Sequence, residues 1–152
     1  MLRDRVKKYY LDEQYNSAES LLHAADDEYA LNLPDEAFKM IGGFGNGMGC
    51  GRTCGALVAG ISVISKQYIE QKAIESPDLR EVCRQYVYAF NHSLGSENCD
   101  ALKAKYSQDD VDCLETVCMA ADVLEQVLNN ALEKWMNEFM KHPSTDHAVS
   151  TV

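Results

Sequence analysis

A glycine-rich segment that leads directly into an apolar stretch constrains the fold of this chain most. Seven of the nine glycines lie between Gly42 and Gly55. Glycine is needed where the backbone takes a positive φ or comes close to another group. The residues from Ala56 to Ile64 are almost all apolar, with Ser62 the main exception, so we expect a helix that is buried on most sides. The pattern therefore predicts a tight loop that leads into a central buried helix.

The rest of the chain has the periodicity of amphipathic helices, and no stretch alternates as a β-strand would. Asn16 and Glu19 are spaced as a capping box, which marks a helix start. We predict helices at Leu2–Leu11, from Asn16 to about Tyr29, from Pro34 to about Ile41, from Cys54 (capped by Thr53) to about Glu70, from Leu79 to Leu94, at Asn98–Lys105, and from Ser107 to about Phe139.

These elements indicate an all-α fold, a single-domain helical bundle of five to seven helices over residues 1–140. Residues 141–152 contain Pro143 and small polar residues, and we predict that they form a disordered tail.

The charge and the leading residues restrict where the protein acts. A formal net charge of −10 argues against binding to nucleic acid or to an anionic membrane surface. Residues 1–15 are charged and carry no apolar core of a signal peptide, so we predict a cytoplasmic protein. Six cysteines in a reducing compartment are expected to be reduced, metal-ligating or catalytic rather than paired in structural disulfides.

Cys54 is the leading candidate for a functional thiol. With Thr53 as the N-cap it falls in the first helical turn, where the helix dipole favours a thiolate and lowers the pKa of a thiol. Arg52 is close in sequence and would add to that effect. Cys50 and Cys54 form a C-x-x-x-C pair, a weaker redox signal than C-x-x-C.

The other cysteines divide into candidates and core residues. Cys99 lies near a helix start, so the same argument applies to it. Cys113 follows three carboxylates, which would raise the pKa of its thiol: Asp109, Asp110 and Asp112. Cys83 and Cys118 are expected to act as small apolar residues of the core.

The segment around Cys54 also resembles a known family. Cys54-Gly55-Ala56, after a glycine-rich loop and before an apolar helix, is similar to the C-G-A-x-x-G signature of the C_GCAxxG_C_C proteins, a family described as redox-active. The segment from Phe90 to Leu102, with Cys99, resembles the part that holds the family's third cysteine. The segment from Cys113 to Val117 resembles the part that holds the fourth. The resemblance covers about residues 5–130 and implies a redox class without a substrate.

Two positions depart from the family pattern. Ser17 stands where the resemblance places the first cysteine, and Ala59 holds the last glycine position of the signature, with Gly60 one residue later. A set of four cysteines is therefore incomplete unless Cys50 takes the place of the missing first cysteine. The resemblance also predicts that Ser17 lies near the cysteines in the folded chain.

Three functions remain open from the sequence. The first is a thiol-redox or electron-transfer accessory protein that meets a redox protein partner, with Cys54 as the reactive thiol, Cys99 and Cys113 as its partners and Cys50 as a resolving thiol. The second is a metal protein in which Cys50, Cys54, Cys99 and Cys113 hold zinc or an iron–sulfur cluster, since thiolates suit both. The third is an interaction module that forms a homodimer through apolar helix surface.

Overall fold

A computed structural model describes residues 1–107 and 112–141 and shows an all-α bundle. The described residues form seven α-helices and no β-strand. The helices are α1 Leu2–Lys7, α2 Ser17–Tyr29, α3 Asp35–Gly42, α4 Gly55–Tyr68, α5 Leu79–Leu94, α6 Cys99–Tyr106 and α7 Leu114–Lys141. A π-helical turn continues α1 through Lys8–Asp12. None of these helices offers an apolar stretch long enough to cross a membrane.

Helix α4 lies at the centre of the core, as its apolar sequence predicts. It packs against α2, α5 and α7, and Ala56, Ala59 and Val63 are fully buried. The fully buried ring of Tyr86, on α5, lies against Gly60, where any side chain would collide with it. Glycine at this position therefore allows α4 and α5 to approach closely.

The start of α2 fixes the glycine-rich segment in place. Asn16 and Glu19 form the predicted capping box: the Asn16 side chain accepts from the backbone N–H of Glu19 at 3.0 Å, and the Glu19 carboxylate accepts from the N–H of Asn16 at 3.1 Å. The Asn16 amide also donates to the Gly42 carbonyl at 2.9 Å. Its side chain fills the space in which a Cβ at Gly45 would lie. One cap residue thus starts α2 and holds the loop.

Three helix boundaries described below differ from the predicted ones. Cys54, not Thr53, is the N-cap of α4, because Thr53 is extended and paired with another segment. The C-terminal end of α4 is Tyr68, since the chain becomes extended at Ile69. Helix α7 includes Lys141, which the sequence had placed in a tail. Most of that tail and of the predicted start of α7 lies outside the described residues.

Candidate thiol site

An antiparallel β-bridge joins the segment that contains Cys54 to the segment that contains Cys99. The bridge pairs Thr53 with Asn98. The Cys54 N–H donates to the Glu97 carbonyl at 2.8 Å, and the Cys99 N–H donates to the Arg52 carbonyl at 2.5 Å. Because side chains alternate between faces of extended chains, Cys54 and Cys99 share the face opposite Thr53 and Asn98. Cys54 and Cys99 are therefore diagonal neighbours across the bridge, and the Cα atoms of such neighbours are roughly 7–8 Å apart.

The glycine-rich loop covers Cys99 at the start of α6. Asn98 caps this helix through the backbone N–H of Ala101 at 3.0 Å, so Cys99 is its first residue. Gly47 has a φ of +59°, and a Cβ there would lie 2.5 Å from the Cys99 Cβ. Only a residue without a side chain can therefore lie at this point of the loop.

The loop makes a left-handed turn over the site. Asn46, Gly47, Met48 and Gly49 have φ values of +54°, +59°, +61° and +70°. Two of these residues are not glycine, and such backbone strain persists only where the surroundings enforce it. Lys103, on α6, helps to hold the turn in this conformation, because its ammonium donates a hydrogen bond to the Asn46 side-chain oxygen at 2.6 Å. The loop is thereby tied to α6.

Cys50 is the exposed thiol of the site. It follows the left-handed turn, and its Sγ lies 3.7 Å from the Gly47 carbonyl oxygen. Cys54 and Cys99 are 4% and 5% exposed. Because Gly47 contacts both Cys50 and Cys99, it separates a solvent-facing sulfur from a buried one.

Cys113 joins this group from the residue before α7. Its backbone N–H donates to the Tyr10 hydroxyl at 3.1 Å, and its side chain is half-buried. Burial is the main cause that raises the pKa of Cys113; the Lys103 ammonium lowers it, and negative charge on Cys99 or Cys54 raises it further. The three thiols and this lysine thus share one electrostatic environment. Tyr10 and Lys103 were not singled out from the sequence, because no local pattern links them to a cysteine.

Burial, not the helix start, sets the acidity of these thiols. Burial raises the pKa of Cys54, while the backbone N–H groups of Leu57 and Ala56 oppose it without reaching hydrogen-bond geometry. Burial also raises the pKa of Cys99. The predicted lowering of the Cys54 pKa is therefore wrong in net direction, because desolvation outweighs the amides.

At Cys113 the expected direction is confirmed with a different main cause. Burial raises the pKa of Cys113 to about 11, and Asp112 makes a smaller contribution of the same sign. The other two carboxylates expected to act on this thiol, Asp109 and Asp110, lie outside the described residues. Burial therefore favours the protonated form of Cys54, Cys99 and Cys113.

Ser17 is buried at the start of α2, with 6% exposure, and is the first residue of that helix. Its neighbour Ala18 packs against Gly55, where a Cβ would lie 3.1 Å from the Ala18 Cβ. Since Gly55 follows Cys54, the start of α2 meets the start of α4. That the Ser17 hydroxyl itself lies near the sulfurs stays a prediction.

The remaining cysteines behave as core residues. Cys118 is fully buried in the core, and Cys83 is half-buried against it. Over residues 1–107 and 112–141, no three or more His, Cys, Asp or Glu side chains are grouped closely enough to hold a metal ion. Cys50, Cys54, Cys99 and Cys113 are thus not arranged as a ligand set in this conformation.

Comparison with known proteins gives one match. A sequence model of the family described as "Putative redox-active protein (C_GCAxxG_C_C)" matches residues 15–127. No curated protein and no solved structure matches the chain. The matched range includes Ser17 and all the cysteines of the site. The chain therefore belongs to the C_GCAxxG_C_C family of putative redox-active proteins.

Proposed function

We propose that this protein is a cysteine-based redox or electron-transfer accessory protein whose dithiol is Cys54 and Cys99. The observation that supports the proposal is the β-bridge, in which the backbone of Cys54 bonds to Glu97 and that of Cys99 bonds to Arg52. On oxidation each thiol gives up one proton and one electron, and a sulfur–sulfur bond forms between them. The two electrons and two protons pass to a disulfide of a redox protein partner, which becomes two thiols.

The dithiol needs only a small movement to close. A disulfide has Cα atoms about 4.4–6.8 Å apart, whereas diagonal neighbours on a ladder are roughly 7–8 Å apart. The two segments must therefore approach by about 1 Å. Cys113, which shares the electrostatic environment of both sulfurs, is the alternative partner for either.

In the proposed reaction, Cys50 is the thiol that the partner protein reaches first. A partner disulfide cannot reach sulfurs that are about 95% buried, but it can reach Cys50. Thiol–disulfide exchange proceeds by thiolate attack through a mixed disulfide. Cys50 attacks the partner disulfide and releases one partner thiol, and Cys99 then attacks the Cys50 sulfur and releases the second. Cys54 finally attacks the Cys99 sulfur, which frees Cys50 and leaves the Cys54–Cys99 bond. We place this chemistry in the cytoplasm, a reducing compartment where free cysteines persist.

The raised pKa values make the buried pair slow to react at neutral pH. Only the thiolate attacks a disulfide, and burial keeps Cys54 and Cys99 protonated. A partner that opens the glycine-rich loop would expose these sulfurs to water and lower their pKa values toward the ordinary range. Reaction would then depend on docking of the partner.

The experiment is a redox titration read out by mass spectrometry. The protein is equilibrated in glutathione buffers from roughly −300 to about −150 mV, quenched in acid, alkylated and mapped by peptide. We expect one two-electron transition that produces a Cys54–Cys99 bond. Cys50→Ser should slow oxidation by a protein disulfide without changing its final extent.

The matched controls are Cys83→Ser and Cys118→Ser, which remove thiols outside the site and should leave the transition unchanged. Cys99→Ser should abolish the Cys54–Cys99 bond, and any transition that remains should map to Cys54 and Cys113. If no disulfide joins any two of Cys50, Cys54, Cys99 and Cys113 across this range, the proposal is wrong.

A further inference from the structure

A cleft lies at the other end of α4 from Cys54. It is bounded by the C-terminal end of α4, the N-terminal half of α5 and the second half of α7, and has a volume of about 420 Å³. Small-molecule sites in proteins usually measure about 300–1,000 Å³. Helix α4 has 14 residues, so the cleft at its far end is about 20 Å from Cys54. It is separate from the thiol site.

The walls of the cleft are aromatic and apolar. Three aromatic side chains line it, Tyr29, Tyr68 and Trp135, together with the buried Val82 and Leu128. Trp135 is 58% exposed, an unusual position for a large ring unless another group covers it. Such a surface suits a flat or apolar group that packs against the rings.

The charge on the rim is negative. The cleft is lined by one cation, Lys134, and by three carboxylates: Asp78, Glu81 and Glu138. Glu81 is already bound by Arg84 at 2.8 Å. Within the part of the chain that the structure describes, Asp78 and Glu138 take part in no ion pair. Two unpaired carboxylates beside aromatic rings favour a cation.

The carboxylates also narrow the choice of cation. A carboxylate oxygen accepts hydrogen bonds, so an ammonium with N–H groups can donate to Asp78 and Glu138. A quaternary ammonium has no N–H group and donates to neither.

We propose that this cleft binds a small primary amine in its protonated form, attached to an apolar or aromatic group. The ammonium faces the carboxylates of Asp78 and Glu138, and the apolar part packs against Tyr68 and Trp135. This site is independent of the thiol chemistry, so its test and the redox titration can fail separately.

Trp135 supplies the readout, because it is the only tryptophan in the chain and lines the cleft. The protein is titrated at pH 7 with 2-phenylethylamine, and its tryptophan fluorescence is followed. The neutral 2-phenylethanol and the anionic 3-phenylpropanoate are titrated as isosteres. We expect a saturable change with the amine at concentrations about tenfold lower than with the alcohol, and none with the acid. Equal responses to amine and alcohol, or no response to the amine, would overturn the proposal.

Substitutions then locate the amine. Glu138→Gln and Asp78→Asn each remove one rim charge at an exposed position, and we expect each to weaken amine binding about threefold. Glu133→Gln makes the same charge change on α7 outside the cleft and should have no effect. If it weakens binding as much as Glu138→Gln, the net charge of the protein attracts the amine and the site does not exist.

Discussion

At the scale of single residues, Gly47 decides whether the loop can lie on Cys99. A side chain there meets two obstacles at once: the left-handed φ of +59°, and atoms of Cys99 and the Arg52 backbone within 2.6 Å of the Cβ position. The first costs an L-residue about 1 kcal/mol and the second, as overpacking, about 1–3 kcal/mol. Gly43 differs in both respects, with a φ of −67° and open space around it.

We therefore expect Gly47→Ala to lower the free energy of unfolding by about 2–4 kcal/mol, measured by urea denaturation. Gly43→Ala is the matched control. It should leave stability unchanged or raise it by about 0.5 kcal/mol, because alanine restricts the unfolded chain more than glycine. Equal losses from both substitutions would show that the loop does not depend on contact with Cys99.

At the scale of elements, the four positions that resemble the family's cysteines all lie at helix starts. Ser17 is the first residue of α2, Cys54 caps α4, Cys99 opens α6 and Cys113 directly precedes α7. Free N–H groups at helix starts favour negative charge, so a sulfur there can become a thiolate once it is hydrated. In the closed conformation burial cancels this preference.

Ser17→Cys tests whether α2 belongs to this arrangement. Ser17 is buried, and a thiol is close to its hydroxyl in size, so the melting temperature should change little. Under oxidising glutathione we expect the new thiol to form a disulfide with Cys54, Cys99 or Cys113, identified by peptide mapping. Ser17→Ala controls for loss of the hydroxyl. A new thiol that stays free while the native pair oxidises would remove α2 from the site.

At the scale of the whole molecule, burial links stability to pH. The core raises the pKa of Cys54, Cys99 and Cys113, and also that of the fully buried Tyr86. Consider a group whose pKa is higher in the folded protein than in the unfolded chain. It contributes its full stability at pH values below its own pKa in the unfolded chain. That contribution is lost as the pH rises through the folded-state value. These groups therefore destabilise the fold only at alkaline pH.

We expect the melting temperature to be level near pH 7.5 and to fall steadily between about pH 9 and pH 11, the upper value being the pKa of Cys113. Because Cys113 is only half-buried, solvent screening limits its contribution to the loss in free energy of unfolding to about 1 kcal/mol. Thermal unfolding followed by circular dichroism measures the fall. Cys113→Ser should make it shallower, whereas an identical pH profile in that variant would show that Cys113 titrates alike in both states.

The sequence predicts what is local and misses what is distant. The Asn16 capping box, the burial of α4 and the core position of Cys118 follow from spacing and periodicity, and the structure confirms them. The pairing of Thr53 with Asn98 joins segments far apart in the chain, with no strand pattern in either. The net direction of the Cys54 pKa likewise depends on burial by other helices.

The bridge between Thr53 and Asn98 closes a loop of about 45 residues that contains α4 and α5. In the native state hydrogen bonds hold this loop shut, but they vanish when the chain unfolds. A covalent bond between Cys54 and Cys99 would keep it shut in the unfolded chain too, and chain-closure entropy makes that worth about 4 kcal/mol. By thermodynamic linkage, folding makes the pair correspondingly easier to oxidise and harder to reduce. The protein would therefore hold its oxidised form most firmly when folded, and unfolding would return the two sulfurs to the redox behaviour of free cysteines.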